Sequence, residues 1–226
     1  MPNIYENIAG TFTAIKEVFV KDGGVWQTAK AVYVKDAGNW RQVFPESTGT
    51  NTYTTPGTYT FTVPNGIYSL TISVYGAGGS GSTSSFCGDG YGGGGGGSGG
   101  YKTSQTLSVT PGESISVVVG AGGTSPVYPG FCNGHVSGNT GGTSSATGLA
   151  GSVSATGGQG GKVAGCYPCA GSGGAGGSPS GVSGTNGYNG GAGTGGSNGT
   201  GYGTGGNGGW VGNGYAGSNG SVVISW

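Results

Sequence analysis

The sequence predicts an all-β chain with polyglycine II helices and essentially no α-helix. Its parts are an N-terminal β-hairpin head and a small β-sandwich platform that carries a glycine-rich polyglycine II insertion. Three observations predict this. Glycine supplies 61 of 226 residues, where about 7% is usual. Much of it recurs at every third position, the period of an extended three-fold helix. Outside the glycine, short runs alternate apolar and polar residues, as half-buried strands do.

Composition narrows function before any motif is read. Charged residues are 6% of the chain, against about 25% ordinarily. Seven basic and seven acidic side chains cancel, so no net field draws in nucleic acid or an anionic membrane. Hydrophobic residues reach 32%, too few to fill one large conventional core. No stretch approaches the roughly 20 apolar residues of a membrane span, and the N-terminus carries no apolar signal core, so membrane insertion is not expected. One histidine and seven carboxylates are little material for acid–base or metal chemistry. A disordered tail is disfavoured too, because 13 Tyr, 6 Phe and 4 Trp are too many aromatics for one.

The head, residues 1–46, holds ten of the fourteen charges. Within it Lys16-Glu-Val-Phe-Val-Lys-Asp-Gly-Gly-Val-Trp26 returns as Lys30-Ala-Val-Tyr-Val-Lys-Asp-Ala-Gly-Asn-Trp40. Each copy reads as a strand, a Lys-Asp-x-Gly turn and a second strand that opens with Trp. Hairpins this short are marginal alone. Phe19, Trp26, Tyr33 and Trp40 are therefore expected to pack on one another or on another chain, as an attachment surface.

The remainder, 47–226, is read as a β platform with glycine-rich insertions at 76–102 and 120–220. Tyr59, Phe61 and Val63 share one strand face, with Thr58, Thr60 and Thr62 on the other. Pro64-Asn65-Gly66 turns the chain, and Tyr68, Leu70, Ile72 and Val74 line the return. Leu107 and Val109 lead into the Pro111-Gly112-Glu113 turn and a strand with Ile115, Val117 and Val119. The closing Ser-Val-Val-Ile-Ser-Trp226 is one more strand. It needs a sheet to join, and candidates lie only before residue 120.

Between Gly181 and Gly199 every third residue is glycine. Such a row lets neighbouring helices approach backbone to backbone. Doublets such as Gly173-Gly174 and Gly205-Gly206 open two of the three helix faces. Collagen shares the period but needs far more proline than the nine here. Side-by-side helices can hydrogen-bond laterally, so that the backbone becomes the core. Such a core has no room for large rings, and the aromatics are expected in loops at helix ends. Tyr91, Tyr128, Phe131, Tyr167, Tyr188, Tyr202, Trp210 and Tyr215 are thus candidate recognition residues, offering large area with few rotatable bonds. The competing reading has these rings cap the bundle and bury one another.

Several stretches carry a family resemblance: Thr58-Tyr-Thr-Phe-Thr-Val-Pro64, Ile72-Ser-Val-Tyr-Gly-Ala-Gly-Gly79, the Gly92–Gly100 run, Val109-Thr-Pro-Gly-Glu113, Val118-Val-Gly-Ala-Gly-Gly123 and Gly220-Ser-Val-Val-Ile-Ser-Trp226. From Tyr53 to Trp226 the chain resembles the glycine-rich domain of tail-fibre and adhesin proteins of tailed bacteriophages. Its layout is similar to the tip adhesins of T-even-like phages, and the head repeat to modules of phage tail proteins. The resemblance implies a virion protein, made in the host cytoplasm and exposed after lysis. Implied partners are other tail or baseplate proteins and a host-surface glycan or outer-membrane protein, and the implied oligomer is a homotrimer. A second reading is a baseplate, tail or capsid-decoration protein whose loops contact neighbouring subunits.

Cys87, Cys132, Cys166 and Cys169 all fall in the expected loops. Four cysteines allow three pairings, and the expectation is structural disulfides, Cys166 with Cys169 and Cys87 with Cys132. A zinc site would need two close pairs, and the setting of Cys166-Tyr-Pro-Cys169 is unlike a thioredoxin motif. Neither metal nor cofactor is expected. Asp89 and Glu113 are the acids beyond Glu46. Their use as a glycosidase pair is set aside in favour of polar loop roles, as is any catalytic role for His135. No glycine run ends in Gly-Lys-Ser/Thr, so no phosphate loop is present. The chain reads as a non-enzyme.

Overall fold

The structure, a computed structural model, describes the chain apart from residues 1–4, 9–10, 15–17, 30–31, 37, 45–47, 65, 85–91, 131–134, 164–169, 187–191, 198–200 and 210–211. The described residues contain no α-helix. They form the all-β fold that composition and periodicity predict, with the platform a small sandwich of two antiparallel sheets.

The head is three antiparallel hairpins: β1 (Tyr5–Ile8) with β2 (Thr11–Ala14), β3 (Phe19–Asp22) with β4 (Val25–Thr28), and β5 (Val32–Asp36) with β6 (Asn39–Phe44). Each is a separate two-stranded sheet. The first lies ahead of the repeat and is additional to the predicted pair. Gly23 and Gly24 turn β3 into β4 at φ +54° and +85°. Both residues are in the left-handed region that a tight hairpin requires. In the second and third hairpins the repeat reproduces a cross-strand pair, Lys21 opposite Trp26 and Lys35 opposite Trp40. Each lysine Nζ lies over its indole, at 5.9 and 5.8 Å, a contact worth about 0.5–1 kcal/mol at an exposed site.

Two four-stranded sheets make the sandwich. In chain order its strands are β7 (Thr50–Tyr53), β8 (Gly57–Thr62), β9 (Ser69–Tyr75), β10 (Tyr101–Ser108), β11 (Ser114–Val119), β12 (Ser144–Gly148), β13 (Gly151–Ala155) and β14 (Ser221–Ser225). One sheet has the order β10-β9-β14-β7 and the other β13-β12-β11-β8. The predicted alternation places Leu70, Ile72 and Val74 of β9 and Ile115 and Val117 of β11 fully inside. Val222 and Ile224 of the closing strand join them, each such side chain contributing about 1.5–3 kcal/mol by leaving water. The C-terminal strand does find its sheet, seated between β9 and β7. Trp226 then packs on Phe61, ring centroids 5.2 Å apart, and its backbone exchanges two hydrogen bonds with Gly49.

The hairpin β12–β13 corrects the predicted layout. It lies inside the span read as one insertion, 120–220, and splits it. The chain leaves the sandwich from the ends of β9, β11 and β13 and re-enters at β10, β12 and β14, in three excursions: 76–100, 120–143 and 156–220. The sequence pattern here is too weak to read, because the buried face of this hairpin is Ser144, Ala146, Val153 and Ala155.

Those excursions build a second core made of backbone. Ten extended segments, 76–84, 92–100, 120–127, 135–142, 156–162, 170–178, 181–186, 192–197, 203–209 and 212–220, lie side by side. The 76–84 segment shows the rule. Its amides at 76, 79 and 82 donate to Gly100, Gly97 and Gly94, and those at 77, 80 and 83 to Gly142, Asn139 and Val136. Those at 78, 81 and 84 donate to Ser218, Tyr215 and Gly212. Three successive residues thus serve three different neighbours, the signature of polyglycine II. Its carbonyls accept from three further segments, through Gly123, Gly158 and Gly206 among others. The 92–100 segment likewise has neighbours on all sides. The other eight close a ring around these two, each bonded to the next, from Gly138 N–H to Gly161 C=O round to Gly142 N–H to Ala121 C=O.

Spacing explains the glycine. A Cβ added to Gly78 would sit 1.9 Å from the Thr204 carbonyl oxygen. The two central segments carry glycine or a small residue everywhere. The ring segments show a repeat of one or two glycines in three, with exposed residues such as Ser172, Ala175 and Ser178 in the outward row. Where the centre carries Ser or Thr, the hydroxyl enters the ladder. Ser82 Oγ accepts from Gly94 N–H at 2.9 Å and donates to the Lys162 carbonyl at 3.2 Å. Ser80, Thr83, Ser84 and Ser98 accept from the amides of Asn139, Val136, Gly212 and Val182.

Candidate functional site

Outgoing and returning segments alternate, so the bundle has two ends. One abuts the sandwich. The other lies about 25 Å away, eight steps of about 3.1 Å along 76–84. At this far end stand Ser84, Gly92, His135, Lys162, Ala170, Asn186, Ala192, Gly209 and Gly212, each the last or first described residue of a segment or next to it.

The candidate recognition residues divide accordingly. Tyr91, Phe131, Tyr167, Tyr188 and Trp210 lie outside the described residues, as do Cys87, Cys132, Cys166 and Cys169. In sequence, all nine fall between segment ends of the far side. Tyr128 is at the far end, half-buried, its N–H donating to Asn213 Oδ1. Tyr215 is 66% exposed, and its backbone is clamped, N–H to Asn207 and C=O from Gly81. Tyr202 belongs elsewhere. It is half-buried at the sandwich junction, 5.3 Å from Tyr75, which in turn stacks on Tyr101. Its neighbour Gly203 donates to Asn219 beside the start of β14. The structure separates it from the far-end set because the turn before 203–209 is a sandwich-side turn.

Beside Tyr215 is an open groove of about 630 Å³, lined by Ser125, Ala192, Asn207, Gly208 and 212–216. Asn207 Oδ1 accepts from Gly195 N–H at 2.8 Å, and Ser125 Oγ donates to the Gly214 carbonyl. Sequence reasoning does not find Ser125, Asn207 or Asn213, which look like ordinary outward residues between glycines.

In the head, Phe19, Trp26, Tyr33 and Trp40 are 52, 67, 52 and 69% exposed. Exposed to this degree, they do not bury one another, the first of the two packings expected for them.

Glu113 is a turn brace at the opposite pole. Its carboxylate accepts from Thr110 N–H at 2.9 Å and Leu149 N–H at 2.7 Å. These bonds hold its pKa below the ordinary value, Leu149's being the larger cause. Glu113 directly precedes β11, whose other end leads into the bundle. Asp89, the other acid of the pair set aside above, lies outside the described residues. Among the described residues no cluster of His, Cys, Asp and Glu could hold a metal, and no helix is long and apolar enough to cross a membrane.

Comparison with known proteins matches residues 54–226 to a family described as a glycine-rich domain. No curated protein matches the chain.

Proposed function

This chain belongs to the glycine-rich domain family, and from that premise we propose that it is a bacteriophage tail-fibre protein that binds a host-cell surface receptor. The head docks it on other tail or baseplate proteins, the sandwich anchors the bundle, and the far-end loops meet a surface glycan or outer-membrane protein. It acts as a virion structural protein and not as an enzyme, as a homotrimer in the assembled fibre. One observation carries this reading. The described segment ends that flank the aromatic-bearing sequences lie away from the sandwich, while Phe19, Trp26, Tyr33 and Trp40 stay exposed in the head.

Rigidity matters because recognition by Tyr and Trp works best on a preorganised support. Here that support is a backbone ladder with few side-chain rotamers to order, those of Ser80, Ser82, Thr83, Ser84 and Ser98 among them. The test is saturable labelling of a bacterial strain panel by the fluorescent full-length chain. Labelling of susceptible strains supports the reading. A folded protein that labels none moves the loops to contacts with neighbouring virion subunits.

A further inference from the structure

We propose that the groove beside Tyr215 is the receptor subsite and that it takes an uncharged saccharide; this rests on the adhesin reading above. Charge decides the ligand class first. The four segments that supply the groove's described lining, 120–127, 192–197, 203–209 and 212–220, carry no Asp, Glu, Lys or Arg. Among the described residues the groove is lined by Ser, Ala, Asn, Gly and Tyr alone. A charged ligand would lose water there without meeting a counter-charge.

The lining matches what a neutral sugar offers. Tyr215 presents an exposed ring on a backbone held at both its polar atoms, by bonds to Asn207 and Gly81. Such a ring suits the C–H face of a pyranose. Asn207 and Asn213 are each pinned through Oδ1, by Gly195 N–H and Tyr128 N–H. That fixes which end of each amide is committed, and the Nδ2 donors make no hydrogen bond within the described residues. They are suited to hydroxyl oxygens. Ser125 is tied to Gly214, which holds the wall beside them. Preset donors beside an exposed aromatic ring are a combination that binds weakly hydrophobic, hydroxyl-rich rings. The volume, about 630 Å³, lies within the usual 300–1,000 Å³ or so of ligand sites.

The experiment is saturation-transfer NMR on the full chain. The probes are methyl glucoside, methyl galactoside and N-acetylglucosamine, with glucuronic acid and glucose 6-phosphate as charged comparators. At least one neutral sugar should receive saturation, and the charged ones should bind about tenfold more weakly or worse. Tyr215→Ala should weaken the neutral sugar by about tenfold. Ala216→Lys, which fills the groove from an exposed position, should do the same and guards against a misfolded first variant. Absence of transfer to every neutral sugar overturns the proposal, as does equal binding of the charged ones or indifference to both substitutions. If cells are still labelled while no sugar binds, the saccharide inference falls and the adhesin reading stands, with a surface protein as the receptor. Sugar binding without cell labelling does the opposite, upholding the saccharide site and removing the adhesin reading.

Discussion

Gly96→Ala is the sharpest perturbation of the backbone core. A Cβ there would lie 2.2 Å from the Gly79 carbonyl oxygen and 2.5 Å from its carbon. Both are main-chain atoms of the other central segment, so no side chain can swing away. Relief requires the two segments to part by at least about 1.2 Å, to ordinary contact distance. Three backbone bonds cross that seam, from Gly76, Gly79 and Ser82 to Gly100, Gly97 and Gly94. If the two nearest the substitution are lost, each leaves buried partners unsatisfied at about 1–3 kcal/mol. Alanine opposes this by about 0.4–1 kcal/mol through lower unfolded-state entropy. The net loss is about 1–5.5 kcal/mol, a fall in Tm of about 2–20 °C for a chain of this length. Ser172→Ala, in an outward row, should stay within about 0.5 kcal/mol of wild type. Thermal and urea unfolding followed by circular dichroism give both numbers. A Gly96→Ala protein as stable as the Ser172→Ala control would refute the claim that close backbone contact is the core.

Further predictions concern other links of the account. Ser82→Ala removes the hydroxyl that joins Gly94 N–H to the Lys162 carbonyl, and should cost about 2 kcal/mol by the same unfolding assay. Glu113 has a folded pKa below its ordinary 4.5, so its stabilisation is complete above that pH and is lost as pH falls through the lower folded value. Wild-type Tm should therefore drop on acidification below about pH 4.5 more steeply than that of Glu113→Gln; parallel curves would remove Glu113 as the turn brace. The described hairpins of the head share no sheet with the rest, and a chain starting at Thr48 should keep the wild-type midpoint. Cys87, Cys132, Cys166 and Cys169 should be unreactive to thiol reagent after oxidative refolding, with peptide mapping linking Cys166 to Cys169 and Cys87 to Cys132.

The sandwich strands are legible in the sequence because Leu70, Ile72, Val74, Ile115 and Val117 alternate strictly with polar residues and are large enough to mark a buried face. The hairpin β12–β13 is not, since Ala146 and Ser144 bury as completely but give no hydrophobic signal. The bundle is legible as a class. Glycine period three fixes the helix type, and the number of glycines per turn tracks how many sides are covered, from the outward-facing Ser172 row to the wholly buried 92–100. Pairing is not legible, because any glycine row can accept any other. Helix order therefore waits on where the chain leaves and re-enters the sandwich. That is why sequence alone groups Tyr202 with Tyr188 and Trp210, although it packs on Tyr75 at the opposite end. The groove stays hidden for the same reason, since Ser125, Asn207 and Asn213 come from three different segments.

The two ends of the bundle give the most direct test of the account. Cell labelling should be measured for the fluorescent full chain beside a Tyr188→Ala/Trp210→Ala/Tyr215→Ala variant and a Tyr202→Ala variant. The account predicts that the first variant keeps its melting midpoint and loses saturable labelling, while Tyr202→Ala still labels cells. Labelling that survives the triple substitution but disappears with Tyr202→Ala would place recognition at the sandwich end and contradict it.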